Sequence, residues 1–250
     1  MSSDPLPNDI EKRIAENLAA VEARLVEACA RAGRARSEVT LVAVSKTRPL
    51  ADLVAAYRCG VRHLGENRVE EAAAKVPALR EALGGDGVTW HLIGHIQSRK
   101  ARDAARLADV VHSVDSRRLA ERLDRFAGEM DKRLPVLLEV NVSGEETKYG
   151  FPAWDDAGCE ALVAAAREVA ALAHLDPRGL MTMAPIVAHP EEARPVFRRL
   201  RMVRDALRAA TGGDWPELSM GMTDDYAVAV EEGATMVRIG RAIFGPQERA

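Results

Sequence analysis

Cysteine is scarce in this chain. Cys29, Cys59 and Cys159 are odd in number and share no close spacing, which supports neither a disulfide framework nor a zinc site. A reducing, cytoplasmic setting is the natural expectation. No apolar run is long enough to span a bilayer. MSSDPLPND at the start lacks the basic segment and apolar stretch of a secretory leader. Without export, the sequon at Asn141-Val-Ser143 carries no meaning. Neither sign of charge dominates: a formal net charge of -3 gives no reason to expect nucleic acid or a membrane as partner. Arg198, Arg199, Arg201 and Arg204 read as a solvated helix face. No GxGxxG follows the first strand, which weakens a dinucleotide-binding open sheet.

What is present organises itself around LVAVSKTRP, Leu41 to Pro49. Leu41 to Val44 is apolar, as suits a strand buried on both faces. Pro49 prevents its continuation. Lys46 therefore stands at the strand's C-terminal end, where two readings apply. It has simply reached solvent, or burial favours its neutral amine, which can attack a carbonyl or hold an aldehyde as a Schiff base.

Strand and helix alternate along the chain. A first helix, capped by Asn8 or Asp9, carries Ile10, Ile14, Leu18, Val21, Leu25 and Cys29 as one stripe, ends at Gly33 and is expected to cover one end of the fold. Strands follow at Leu41–Val44, Val61–Gly65, Thr89–Ile93, Val110–Val114, Leu134–Val142, Leu175–Met183, Glu217–Met220 and Thr235–Ile239. The intervening helices read as Leu50–Arg58, Asn67–Leu83, Ser98–Ala108, a segment capped by Asp115 or Ser116 and running through Met130, Trp154–Leu172, Glu191–Ala210 and Asp224–Glu232. Ser143–Gly150 is a polar loop. Eight β/α units in 250 residues predict an α/β fold, a single (β/α)8 TIM barrel with an extra N-terminal helix. Residues 1–250 form one domain, with 1–35 the helical extension and 39–245 the barrel. A doubly wound open sheet is the runner-up.

In such a barrel reactive groups sit where strands end. Those positions hold Lys46, Glu66-Asn67, Gly94-His95, Asn141, Met181 to Met183, Ser219 to Thr223 and Arg238 to Gly240. SMGMTDD and RIG follow the last two strands, where barrels often bind phosphate on backbone amides. Gly221 and Gly240 read equally as turn glycines, and Thr223 as a helix cap. A lysine beside a phosphate cradle suits a sugar phosphate held as an imine, or pyridoxal 5'-phosphate. Arg238 either forms a rim salt bridge or faces inward, where it would keep a pyridine nitrogen unprotonated.

VAVSKTRP, HLGENRVEEAAAK, WHLIGHIQSRK, LLEVNVSGEETKYGF, GLMTMAP and LSMGMTDDYAVAVEEGATMVRIGRAIFG resemble the YggS/PROSC family of pyridoxal phosphate homeostasis proteins, from about Val39 to Gly245. The resemblance implies the fold-type III barrel of alanine racemase's N-terminal domain. It makes Lys46 the residue holding the cofactor as an aldimine and puts Asn67 beside the cofactor. Ser219, Thr223 and the backbone around Gly221, Gly240 and Arg241 would bind phosphate, Arg238 would face the pyridine nitrogen, and Met220 would pack near the ring. His95 and Arg99 stand where proline and asparagine are frequent in the family, and Arg241 where a small hydroxyl is frequent.

The implied function is a pyridoxal 5'-phosphate carrier in vitamin B6 homeostasis, a monomer with little or no catalysis of its own, whose partners are the cofactor and the apoenzymes requiring it. A racemase needs a base on each face of the substrate carbon, and alanine racemase takes its second from a C-terminal β-domain for which this sequence offers no counterpart. The alternatives are a racemase or deaminase of this fold, and a Schiff-base aldolase on a phosphosugar. His91 and His95, four apart on a strand and its loop, are not placed to share a metal. His63 and His112 read as hydrogen-bonded residues at strand ends, Met181 and Met183 as barrel packing. Lys148 and Tyr149 belong to a solvated loop, or to a basic group over the mouth or a partner surface.

Overall fold

The structure, a computed structural model, describes residues 7–145 and 148–246. Its strands are β1 (Thr40–Val44), β2 (His63–Glu66), β3 (Thr89–Leu92), β4 (Val110–Val114), β5 (Leu134–Asn141), β6 (Phe151–Pro152), β7 (Leu175–Met181), β8 (Glu217–Ser219) and β9 (Met236–Ile239). All but β6 form a closed parallel ring. β9 pairs with β1 from Thr40↔Met236 to Ala43↔Ile239, and β4 pairs with β5. This is the expected eight-stranded barrel, and the open sheet is ruled out. β6 was not expected. It adds to the end of β5 through Val140↔Phe151.

The helices are α1 (Pro7–Arg31), α2 (Leu50–Arg58), α3 (Val69–Leu83), α4 (Ala101–Leu107), α5 (Arg117–Gly128), α6 (Asp156–Ala170), α7 (Arg194–Thr211), α8 (Tyr226–Glu231) and α9 (Arg241–Phe244). Ser116 supplies the α5 cap, its hydroxyl accepting from Leu119 N–H. Asp155 caps α6 in the same way through Gly158 N–H at 2.7 Å, so that helix starts two residues after Trp154. The expected caps of α1 fall inside it: Asp9 lies in the first turn, and the side chain of Asn8 is outside the described residues.

α1 does not cover an end of the barrel. It packs along the side against α2, α8 and α9. Asn17 donates to Ile243 O at 2.9 Å near the C-terminal mouth, and Arg34 donates to Val230 O and Ala234 O near the opposite end. α1 thus runs antiparallel to the strands and fills the slot beside the four-residue α9, where a full eighth helix would lie. Ile14, Leu25 and Ala28 are wholly buried on this seam. Each large side chain so placed contributes about 2 kcal/mol of transfer free energy.

Strand alternation sorts the interior. Leu64, Trp90, Leu92, Leu138, Leu180, Leu218 and Val237 join the apolar layer between sheet and helices. Val42, Ile93, Leu137 and Met181 are equally buried and fill the barrel on the opposite phase. Met183, read as barrel packing, is exposed beyond the strand.

Gly179 on β7 lies so close to β8 that a Cβ there would stand 1.9 Å from Glu217 O. Gly179→Ala is expected to cost about 3 kcal/mol, read as a lower urea midpoint. An unchanged midpoint would show that the strands can separate freely at this point.

Candidate functional site

β1 delivers Lys46 to the C-terminal mouth. Val44 and Ser45 are buried, but Lys46 and Thr47 form an exposed turn, with Thr47 in the left-handed region at φ 62. Of the two readings of Lys46, the structure bears out the first: β1 ends at Val44, as expected, and the lysine has reached solvent. Among the described residues, Lys46 has no hydrogen-bond or ion-pair partner. Gly240 brings the ends of β1 and β9 together, since a Cβ at Gly240 would lie 3.3 Å from Val44 O.

Arg238 on β9 points into the barrel and is 4% exposed; the rim salt bridge is not formed. It donates to Ser219 Oγ at 2.5 Å and to Thr182 O at 2.9 Å. Burial lowers its pKa to about 10, against the pull of Asp225 and Glu139, so it stays charged at neutral pH. Glu139, inward on β5, is the residue sequence reasoning missed. Burial, with the like charge of Asp115, raises its carboxyl to about 7, opposed by Arg238. Its Oε2 has no partner. The only sequence signal is that a carboxylate interrupts the apolar run of β5.

Asn67 follows β2, and its buried Oδ1 is also unpartnered. Gly94 presses on it so closely that a Cβ would meet Asn67 O at 2.3 Å. Asn141, by contrast, is spent on its own loop, its Oδ1 accepting from Ser143 N–H and Gly144 N–H.

The β8–α8 turn holds the other expected residues. Gly221 has φ +93 and packs on α8 so tightly that a Cβ would lie 2.6 Å from Ala229 Cβ. Asp225 accepts from Met222 N–H at 2.6 Å, which leaves Thr223 half-buried at the corner of the turn. Arg241 opens α9, and its exposed guanidinium pairs with exposed Asp224 at 2.5 Å, a contact worth little in water. Two expected residues are turned elsewhere. Met220 follows Ser219 by one residue, so alternation sends it into the outer apolar layer, wholly buried, and not toward a ring at the mouth. Ser219 is wholly buried between Arg238 and His112, inside the barrel.

From Ser219 a chain of imidazoles crosses the interior. His112 Nδ1 lies 2.9 Å from Ser219 Oγ, His91 Nδ1 2.8 Å from His112 Nε2, and His63 Nδ1 3.0 Å from His91 Nε2. Ser219 Oγ accepts from Arg238, and because every link between imidazoles runs from an Nδ1 to an Nε2, the tautomer of any one imidazole fixes that of the other two. His112 sits in mid-strand, not at a strand end as expected. Burial lowers the pKa of all three: His91 falls to about 3 and His112 well below the usual imidazole value, with further lowering by neighbouring His63, His91 and Arg238.

At the rim His95 Nδ1 donates to Asp115 Oδ2 at 2.8 Å and the ring stacks on Tyr149, with centroids 4.0 Å apart. Lys148 is held by Glu145, Ser143 and Met183 O. Glu146 and Thr147 of this loop lie outside the described residues.

The closed parallel (β/α)8 barrel belongs to the class described as alanine racemase, N-terminal domain, which the chain matches over residues 17–248. Alanine racemase of Clostridium difficile 630 aligns with a TM-score of 0.70 over 95% of this chain and 58% of that one, at 13% identity; the fold alone is shared. The pyridoxal phosphate homeostasis protein of Aquifex aeolicus is 39% identical over 233 residues, covering 93% of this chain and 98% of that relative. PipY of Synechococcus elongatus PCC7942, solved with PLP bound, has a TM-score of 0.79 and 38% identity over 93% of this chain and all of that one. The chain belongs to the pyridoxal phosphate homeostasis protein family.

The histidine chain makes stability pH-dependent. Its folded pKa values lie below that of a free imidazole, so the unfolded chain binds protons first. The contribution is whole above about pH 6.5 and drains away as pH falls below it, toward about 3 for His91. For His91 the full loss is on the order of 5 kcal/mol. Glu139 acts oppositely, favouring the fold as pH falls through about 7. His91→Gln should flatten the slope of unfolding free energy against pH between about pH 6.5 and 5. An identical slope in variant and wild type would contradict the buried neutral chain.

Proposed function

We propose that this protein binds pyridoxal 5'-phosphate at the C-terminal mouth of the barrel and acts in intracellular vitamin B6 homeostasis, with little or no catalysis of its own. The observation that carries the reading is Arg238. A permanent cation is fixed inside the barrel below an unpaired lysine, and near the close approach of Gly240 to Val44. The family supports it, as does a relative solved with PLP bound.

The residues present fit the group. When bound, pyridoxal 5'-phosphate supplies an aldehyde, an electron-withdrawing ring and an anionic tail. Lys46 Nζ would hold the aldehyde carbon covalently, being accessible and unpaired. Asn67 Oδ1, buried without a partner, would accept a hydrogen bond from a ring substituent. Arg238 would face the ring nitrogen and keep it unprotonated. Thr223, the Gly221 turn and the backbone of Gly240 and Arg241 would take the phosphate. Ser219 enters this reading differently from the expectation: its hydroxyl serves Arg238 and touches no anion. Met220 drops out of the ring contact.

Weak catalysis fits the tyrosines. Tyr226 is buried in the core under Arg24, Tyr57 lies beneath Arg62, and Tyr149 stacks on His95 at the rim. None is paired with Lys46. A carrier would then pass its cofactor to apoenzymes that require it.

Borohydride reduction of protein loaded with pyridoxal 5'-phosphate should add one pyridoxyl group, mapped to Lys46 and lost in Lys46→Ala. An adduct on another lysine, or none, would overturn the reading. Thr223→Val should loosen the cofactor roughly tenfold, the value of one anion-directed hydrogen bond, as measured by equilibrium dialysis. Ser219→Ala should have the smaller effect. The reverse ranking would return Ser219 to the phosphate.

A further inference from the structure

The turn carrying Lys46 is gripped on both sides by residues of β2 and α3. Lys75 Nζ donates to Ser45 O at 2.7 Å, to Glu66 Oε1 at 2.8 Å and to Glu71 Oε2 at 3.0 Å. Glu71 Oε2 also accepts from Thr47 N–H at 2.7 Å, and Glu66 Oε1 from Ser45 Oγ at 2.7 Å. The peptide groups just before and just after Lys46 are thus tied to one cation and its two carboxylates. The Glu66 side chain is fully buried, and that of Lys75 is 13% exposed. In so dry a setting these bonds hold their geometry far better than surface pairs do.

The same bonds separate two lysines that stand near one mouth. All three N–H bonds of Lys75 are engaged, which leaves no lone pair to offer a carbonyl. Lys46 has no such partner among the described residues. Burial pushes the Glu71 carboxyl up, but the Thr47 amide and Lys75 together bring it below its ordinary value; at Glu66 burial wins, and its carboxyl stays raised against the hydrogen bonds from Lys75 and Ser45.

We infer that Lys75, with Glu71 and Glu66, is a positioning residue: it clamps the turn that presents Lys46 and is itself withheld from the aldehyde. This rests on the cofactor reading above. The step served is condensation. Lys46 Nζ forms the C=N bond, and its two amine protons leave with the carbonyl oxygen as water. A turn free to wander by about 1 Å loses much of the advantage of a fixed nucleophile.

The test follows imine absorbance after pyridoxal 5'-phosphate is added to the full-length protein, then maps borohydride-fixed adducts, with thermal melts alongside. Lys75→Met should capture the aldehyde roughly 10- to 100-fold more slowly and spread adducts to other lysines. Lys75→Arg, which keeps charge and donors, should recover most of the rate. Glu71→Ala releases Thr47 from a half-exposed helix position; it should slow capture with little change in melting, and it decides the matter if Lys75→Met does not fold. Folded Glu71→Ala or Lys75→Met protein that reacts at the wild-type rate on Lys46 alone would overturn the inference. Wild-type protein with no adduct on Lys46 would instead overturn the cofactor reading beneath it.

Discussion

Burying a guanidinium that keeps its charge is the costliest commitment in this barrel. Arg238 has almost no contact with water, so every neighbour must either accept a hydrogen bond from it or oppose its charge. Ser219 and the Thr182 carbonyl do the first, Glu139 and Asp225 the second. Removing any one of these groups would leave a buried charge less well matched, which costs more than the pair itself contributes. The surrounding residues are therefore constrained by electrostatics as much as by packing.

That constraint propagates. Ser219 joins Arg238 to His112, and from there one hydrogen-bond chain links the tautomers of three histidines as far as the start of β2. The imidazoles must stay neutral, because a second cation beside Arg238 would be repelled in low dielectric. Glu139 balances the charge from the other side at the expense of an unsatisfied oxygen. Glu139 Oε2 and Asn67 Oδ1 are among the buried polar atoms of the described residues that have no hydrogen-bond partner. Lys46 differs from both, since it stands in solvent at the edge. Its availability comes from having no partner, whereas the amine of Lys75 is fully spoken for.

Much of the barrel was legible in the residues because parallel strands covered on both faces leave short apolar runs between helical stripes. Leu50–Arg58 and Val110–Val114 were read to the residue. The misses have physical causes. β6 and α9 are too short to carry a period. The placement of α1 along the barrel side depends on α9 being brief, which is a tertiary fact. Met220 and Ser219 are neighbours, and only the phase of β8 tells which of them faces inward. For Lys46 the sequence left burial and solvent both open, and only the turn at once after Ser45 decides for solvent. The histidine chain joins three strands that are distant in sequence, and register between strands is not written in any one of them. Glu139 could have been suspected as a charge inside an apolar run. Its partner across the barrel could not.

The central claim is that the barrel-centre arginine is the floor of a cofactor site and sets the electronic state of the ring above it. Nitrogen NMR of the protein loaded with pyridoxal 5'-phosphate labelled at the ring nitrogen reads that state directly. The account predicts the shift of an unprotonated pyridine, unchanged between about pH 6 and 9, because a fixed guanidinium opposes a second positive charge at that distance. A pyridinium shift in the bound cofactor would contradict it.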